Sequence, residues 1–409
     1  MATRRASSGH LWHGDLAKRR YGEINESWYR YGVDPAADIC LNDEEAWKWA
    51  SPKDAYTRNW SVIFTLDGKT SMSTATERLL FYIIYTPGTV RTLLPFVDTL
   101  LHWSDCTYCL IANGCGEDEL TLLRDRCAAE PRLNWQRLPW PYKVEHGHAL
   151  NHLFAISDLP YFSFMDSDIL ATGDFMAELR PLLPDAAGLF SAWPMTIKAQ
   201  ERLLPAASSF IAGRHSHTEA GLCLGGSYFA IYVRAVLKRS LAQAPDGFNR
   251  GYWAQLPRQT QRFLCTIDQE RRFYDTGRLL NLYVQSQGGK LCVHDCSVLL
   301  HLGSYSIYTG RARSTSSRWL TRVGAVARRV RDHLNGQAYR TAILKQVAQD
   351  PIQQRVNKRR QVLTAYFADL IAATAVGEAM PAPPQMQDAE IERMLEQAIR
   401  ALKTLQVNQ

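Results

Sequence analysis

Residues 146–169 read HGHALNHLFAISDLPYFSFMDSDI. The texture changes part-way. Gly147–Ser157 reads as a helix, and Tyr161–Met165 as a short apolar strand that stops at Asp166-Ser167-Asp168. Strand periodicity puts residues two apart on one face, so Asp166 and Asp168 can converge on a cation just beyond the strand. Mg²⁺ and Mn²⁺ take hard oxygen ligands of this kind and commonly bridge a carboxylate to substrate phosphates. An Asp-x-Asp pair is common by chance and otherwise reads as a solvated turn. Its weight comes from where it stands.

Upstream, the same alternation runs back to residue 79. Leu79–Tyr85 is a buried strand ended by Thr86-Pro87-Gly88. Thr92–Trp103 reads as a helix, Thr107–Ala112 as a strand ended by Asn113-Gly114, Glu117–Ala129 as a helix and Arg132–Leu138 as a strand. Strands alternating with helices predict βαβ units and a mostly parallel α/β sheet flanked by helices. Ligands of such sheets bind beyond the carboxyl ends of the strands, where the 86–88, 113–115 and 166–168 turns fall.

Three regions are expected: a Trp-, Tyr- and charge-rich extension over 1–78 that packs on the body, a catalytic α/β domain over 79–310, and a helical region over 311–409. In the last, Ser316–His333, Ala338–Ala348 and Gln353–Ala375 read as helices, 377–387 as a linker and Asp388–Gln406 as a final helix. Apolar residues at 391, 395, 398, 402 and 405 give that helix a short coiled-coil-like seam, which suggests a homo-oligomer contact. The formal charge of +7 is unevenly spread: residues 311–361 hold 13 Lys and Arg against 2 Asp, so the remainder is near −4. A basic helical arm of this kind suits an anionic membrane surface or nucleic acid, or packs on an acidic body.

The composition, 46% apolar and 21% charged, excludes a disordered or fibrous chain. No apolar run is long enough to cross a membrane, and the N-terminus has no apolar leader segment. Nine scattered cysteines read as free thiols of a reducing compartment. Cys106-x-x-Cys109 and Cys292-x-x-x-Cys296 sit in apolar runs and read as buried thiols rather than zinc ligands. These features place the chain in the cytoplasm, or peripherally at a membrane.

The order helix, strand, Asp-x-Asp over 146–169 resembles the glycosyltransferases of family 2 and their GT-A relatives. The resemblance spans about residues 79–306: LLFYIIYTPG, IANGC, LCLGGSYFAIYVRAVL and FYDTGRLLNLYVQSQGGKLCVHDCSVLLHLGSYS follow in the family's order. It implies a GT-A fold, a nucleoside diphosphate sugar of UDP or GDP type as donor, and Mn²⁺ or Mg²⁺. It implies Asp166, Asp168 and His301 as metal ligands, with Asp166 the outer contact. Thr86, Pro87, Asn113, His148, Asp166, Gly225 and Gly226 fall on its donor-binding positions, although His148 replaces the family's basic residue. Asp275 falls on the acidic residue beside the reacting centre, with Asp268 and Glu270 competing for that role. A carboxylate there would take the acceptor hydroxyl proton in an inverting reaction. The acceptor, whether saccharide, lipid, protein or metabolite, is not legible.

Several bland readings compete. Asp275 also suits a helix N-cap, His301 a core histidine, Trp193 a core tryptophan, and Asn113-Gly114 and Gly225-Gly226 plain turns. His146 and His148 can face phosphate or solvent. Competing functions are a retaining transferase, a nucleotidyltransferase and a non-catalytic binding protein that grips polyanions through the basic arm. The nucleotidyltransferase reading suffers from a first loop with one glycine where a triphosphate cradle has several. A haloacid-dehalogenase phosphatase is disfavoured by Leu170.

Overall fold

A computed structural model of the chain describes residues 39–41, 47–49, 79–198, 201, 216–218, 221–267, 273–303, 305 and 349–406. The chain divides into two compact units, Met1–Thr76 and Glu77–Gln409. In the first, Ile39–Leu41 and Trp47–Trp49 pair antiparallel. The rest of the expected extension, and its packing, lie outside the described residues.

The second unit opens with Leu80–Tyr85 (β1), Val90–His102 (α1), Thr107–Ala112 (β2), Glu117–Ala129 (α2), Leu133–Arg137 (β3), His146–Ile156 (α3) and Tyr161–Asp166 (β4). These are the elements that the alternation predicts, with ends shifted by no more than two residues. The elements that frame the site follow as Ile169–Ala171 (β5), Gly188–Phe190 (β6), Trp193–Pro194 (β7), Phe229–Val233 (β8), Arg234–Gln243 (α4), Arg278–Ser286 (α5), Leu291–Val293 (β9) and Leu299–His301 (β10). Pro351–Ala375 (α6) and Ala389–Gln406 (α7) form the helical C-terminal region.

The main sheet has seven strands in the order β9-β6-β8-β4-β1-β2-β3. Only β8 runs against its neighbours. The architecture is therefore α/β, with the mixed, mostly parallel sheet expected from the sequence. A sheet covered on both faces needs strands that are apolar throughout, which explains the unbroken runs LFYIIY and TYCLIA. One face carries Phe81, Ile83, Tyr85, Met165 and Phe229. The other carries Tyr82, Ile84, Phe162, Phe164 and Tyr232 under α3, α4 and α5.

The C-terminal helices complete the first face. Phe367 of α6 meets Phe96 of α1 edge-on at 5.7 Å, and α7 packs on α1 and β5. Ile391, Leu395, Ala398 and Leu402 are buried in the same core as Phe81 and Met165. This corrects the expectation of an oligomer seam: the apolar stripe of residues 388–406 is used within its own chain. The stripe itself was read correctly; sequence spacing does not say whose core it enters. The basic arm is corrected in part. Residues 306–348 lie outside the described residues, so the expected helices Ser316–His333 and Ala338–Ala348 do too. On α6, however, Arg355 and Arg359 reach Glu201, and Arg360 is buried. Arg359 and Arg360 thus lie against the body, while the Arg355 side chain is 56% exposed.

Among the described residues, no helix is long and apolar enough to cross a membrane. The eight described cysteines are unbridged, and burial pushes the Cys106 and Cys109 thiols up to about 12.

Leu395 is 1% exposed. Leu395→Ala is expected to cost about 2–5 kcal/mol of stability, read from urea unfolding of the full chain. A cost below about 0.5 kcal/mol, the range of surface substitutions, would show that α7 is not docked as described.

Candidate metal and donor site

Asp166 is the last residue of β4 and lies opposite Ile84 of β1, at the carboxyl edge of the sheet centre. Its N–H donates to the Tyr228 carbonyl at 2.7 Å, just before β8. Three residues on, the chain enters β5, which pairs with β10 in a small sheet ordered β5-β10-β7. That pairing sets His301 opposite Ile169. It draws the chain beyond His301 across Asp168. Leu302 N–H donates to the Asp168 carbonyl at 3.0 Å, and Tyr305 N–H donates to Asp168 Oδ2 at 3.1 Å.

Asp166, Asp168 and His301 thereby converge. One ligand atom from each lies within 4.8 Å of the other two. His301 Nε2 stands 3.2 Å from Asp168 Oδ1 and 3.5 Å from Asp166 Oδ2, yet it is buried and makes no hydrogen bond of good geometry. An imidazole nitrogen aimed between two carboxylates, out of water and without a directed partner, fits a bound divalent cation. Two carboxylates and one imidazole are a donor set for Mn²⁺ or Mg²⁺. Asp168 is buried and Asp166 half-exposed, so Asp166 faces the opening.

Without a cation, His301 and Asp168 hold each other charged. Burial works against the charge on His301, but the Asp168 and Asp166 carboxylates push its ring up to about 9. Burial likewise opposes ionisation of Asp168, and the charged ring with the Tyr305 N–H holds its carboxyl below the usual range.

The other expected residues divide. His146, the first residue of α3, has Nε2 3.9 Å from Asp166 Oδ1. His148 points elsewhere and lies against Trp140 with ring centroids 4.6 Å apart. The histidine of this helix beside the carboxylates is thus His146; each helical residue turns by about 100°, so residues two positions apart point in different directions. Asn113 is buried at the end of β2, and its side chain clamps Val144: Nδ2 donates to the carbonyl and Oδ1 accepts the N–H. Thr86 N–H is taken by Thr89 Oγ1, beside the exposed Pro87. The Gly88 and Val90 N–H groups donate to Glu119 Oε1. A carboxylate stands where a triphosphate cradle would need free donors, which weakens the nucleotidyltransferase reading.

Gly225 has φ +62°, and a side chain there would meet Asn281 Nδ2 at 2.6 Å. The glycine lets α5 approach so that Asn281 donates to the Leu224 carbonyl. Asp275 begins the turn into α5 and accepts the Thr276 N–H. Asp268 and Glu270 lie outside the described residues. Trp193 packs, half-buried, against the core.

Sequence reasoning missed Tyr228. Its ring stacks on His301, centroids 4.6 Å apart and planes 27° apart, while its carbonyl holds Asp166. The signal available was its place just before the strand Phe229–Val233; nothing local marks it as a neighbour of residue 301.

No protein-family model and no curated protein matches the chain. Among solved structures it is similar to a galactosyltransferase, LgtC, in complex with donor and acceptor sugar analogues (12% identity, TM-score 0.33, 54% of this chain and 74% of that one). It is similar to a mannosyltransferase from Pyrobaculum calidifontis in complex with GDP-Man and Mn²⁺ (12%, 0.31, 81% and 88%). It is also similar to 4-diphosphocytidyl-2C-methyl-D-erythritol synthase from Anaerococcus prevotii (9%, 0.31, 54% and 89%). Glycosyltransferases are thus among its neighbours, as the resemblance implied; likeness of this degree says nothing about activity.

Tyr228→Ala is expected to lower Mn²⁺ affinity about 10- to 100-fold, read by electron paramagnetic resonance titration, with Tyr228→Phe losing far less because the stack survives. In metal-free protein, the His301 ring protons are expected to titrate near pH 9 by NMR. The folded value lies above the ordinary one, so the stability it contributes is full below about pH 6.5 and lost as pH rises through 9. Titration at or below the ordinary value would contradict the ion pair.

Proposed function

We propose that this chain is a metal-dependent glycosyltransferase that moves a sugar from a UDP- or GDP-type donor to an acceptor hydroxyl, with inversion. The observation that carries the reading is the convergence of Asp166, Asp168 and His301 beyond the central strand of the sheet, where α/β sheets receive ligands.

Asp166, Asp168 and His301 would hold Mn²⁺ or Mg²⁺. Such an ion neutralises charge that develops on a departing diphosphate. The chain's own part is positioning. Asp168 is fixed by two backbone N–H groups and His301 by its stack on Tyr228, so neither swings when a donor arrives. Asp166 is tied at its backbone but open at its side chain, which suits the outer contact. His146 flanks Asp166 and adds a donor on the phosphate side. The Thr86–Pro87 loop lies at the end of β1, next to β4, and offers a wall for the nucleoside. Asp275 takes the acceptor hydroxyl proton as the sugar leaves the diphosphate; its half-buried place at the start of α5 supports that role. Gly225 and Gly226 border the sugar side.

A panel of UDP-, GDP- and dTDP-sugars with Mn²⁺ or Mg²⁺ is expected to yield nucleotide release from at least one donor. Asp168→Ala is expected to abolish that release, and an unchanged rate would remove the metal assignment. Asp275→Asn is expected to slow transfer about 10²- to 10⁴-fold while donor binding persists; full activity would pass the base role to another carboxylate.

A further inference from the structure

The amino edge of the large sheet, opposite the Asp166–Asp168–His301 cluster, carries a second concave place. β2 and β3 begin at Thr107 and Leu133. The turns that lead into them, the end of α1 and the start of the short helix Phe175–Leu179 wall a cleft of about 720 Å³. The six residues of β2 separate it from the carboxyl edge, roughly 20 Å. A volume of that size is ordinary for a ligand site. What it takes follows from its lining.

The apolar part is Leu101, Met176 and Trp103. Leu101 and Met176 are buried, whereas Trp103 is one of three large apolar side chains left exposed among the described residues. It caps the end of α1 and meets the His102 ring at right angles, centroids 4.8 Å apart. An indole at the surface of a cleft offers a flat apolar face with one N–H donor on its rim.

The polar part is held in place before any ligand arrives. Arg180 donates to Asp105. Arg132 donates through Nε to Glu130 Oε1 at 3.3 Å and through Nη1 to the Ser104 carbonyl at 2.6 Å. Asp174 Oδ1 accepts the Ala177 N–H at 3.1 Å. A guanidinium has more donors, and a carboxylate more acceptor positions, than these contacts use. The groups are therefore fixed yet still able to bond, which lowers the entropy cost of binding.

Their charges narrow the ligand. Arg132 and Arg180 line the cleft with Asp105 and Asp174, and Glu130 adds an anion at Arg132. Nothing there calls for a polyanion. Each carboxylate is already met by a guanidinium or a helix N–H, so nothing calls for a cation. An uncharged molecule rich in hydroxyls fits both parts. A hydroxyl gives and accepts at once, so neighbouring hydroxyls match a guanidinium beside a carboxylate. The C–H face of a pyranose ring matches the indole.

We propose that this cleft binds an uncharged saccharide chain. The proposal stands apart from the glycosyltransferase reading, since none of its residues belongs to the metal and donor site.

The test is calorimetric titration of the full chain with EDTA present. The neutral probes are maltohexaose, cellohexaose, xylohexaose and chitohexaose in its N-acetylated form; a heparin hexasaccharide is the anionic one. The wild type is expected to bind at least one neutral chain, and the heparin fragment more weakly. Trp103→Ala is expected to weaken binding of the neutral chain about 10-fold, and Arg180→Gln about 3- to 10-fold, at unchanged circular dichroism. Trp103→Phe, which keeps an aromatic face, is expected to fall between wild type and Trp103→Ala. It decides the question together with Arg180→Gln if Trp103→Ala does not fold. A wild type that binds none of the neutral chains overturns the proposal. Unchanged affinity in the Trp103 and Arg180 variants overturns it too, because the saccharide then sits elsewhere. Tighter binding of the heparin fragment than of every neutral chain marks an anion site and overturns it as well.

Discussion

His301 Nε2 and Asp168 Oδ1 stand 3.2 Å apart, both side chains almost wholly out of water. Two charges in such a place are tolerable only together: each alone would lose its hydration with nothing to replace it. That requirement organises the surroundings. The end of β4 must meet the end of β10, so the small sheet β5-β10-β7 forms across the edge of the large one. The segment after His301 must fold back, so Leu302 and Tyr305 give Asp168 their N–H groups. Tyr228 then fixes the ring plane and, through its carbonyl, Asp166.

The large sheet supplies the rigid support. Its strands are buried on both faces, and the C-terminal helices are needed to cover one of them. α6 and α7 are therefore structural parts of the same unit as the sheet. That packing also explains why a residue more than fifty positions beyond His301 stands beside it: Phe367 and Leu363 dock α6 on the body, and Arg360 arrives as a consequence of the helical step.

The site was legible to different depths. Asp166 and Asp168 could be read because a strand ends in them, which is a local pattern. His301 could be placed only through a family resemblance, since the carboxylates it meets lie more than 130 residues away. His146 and His148 show the limit of spacing: both sit on one short helix, and which of them faces the carboxylates depends on the angle at which α3 meets the sheet. Asn113 reads equally well as a turn or a ligand contact. Its clamp on Val144 is visible only when the 143–144 loop is in place. Glu119 carries no motif, yet it occupies the donors of the first loop.

By itself the sequence determined the order of strands and helices, the apolar stripes and the uneven charge. Period, turn residues and composition act over a few neighbouring positions, and those positions are on the page. It did not determine where each stripe is spent. The seam of residues 391–402 has the spacing of an oligomer contact, and it lies in the chain's own core. The charges of α6 have the look of a polyanion arm, yet Arg359 and Arg360 turn inward. Only tertiary structure decided these matters. Burial rewards any apolar partner of the right shape and any counter-charge within reach, and which partner arrives depends on contacts between residues far apart in the chain.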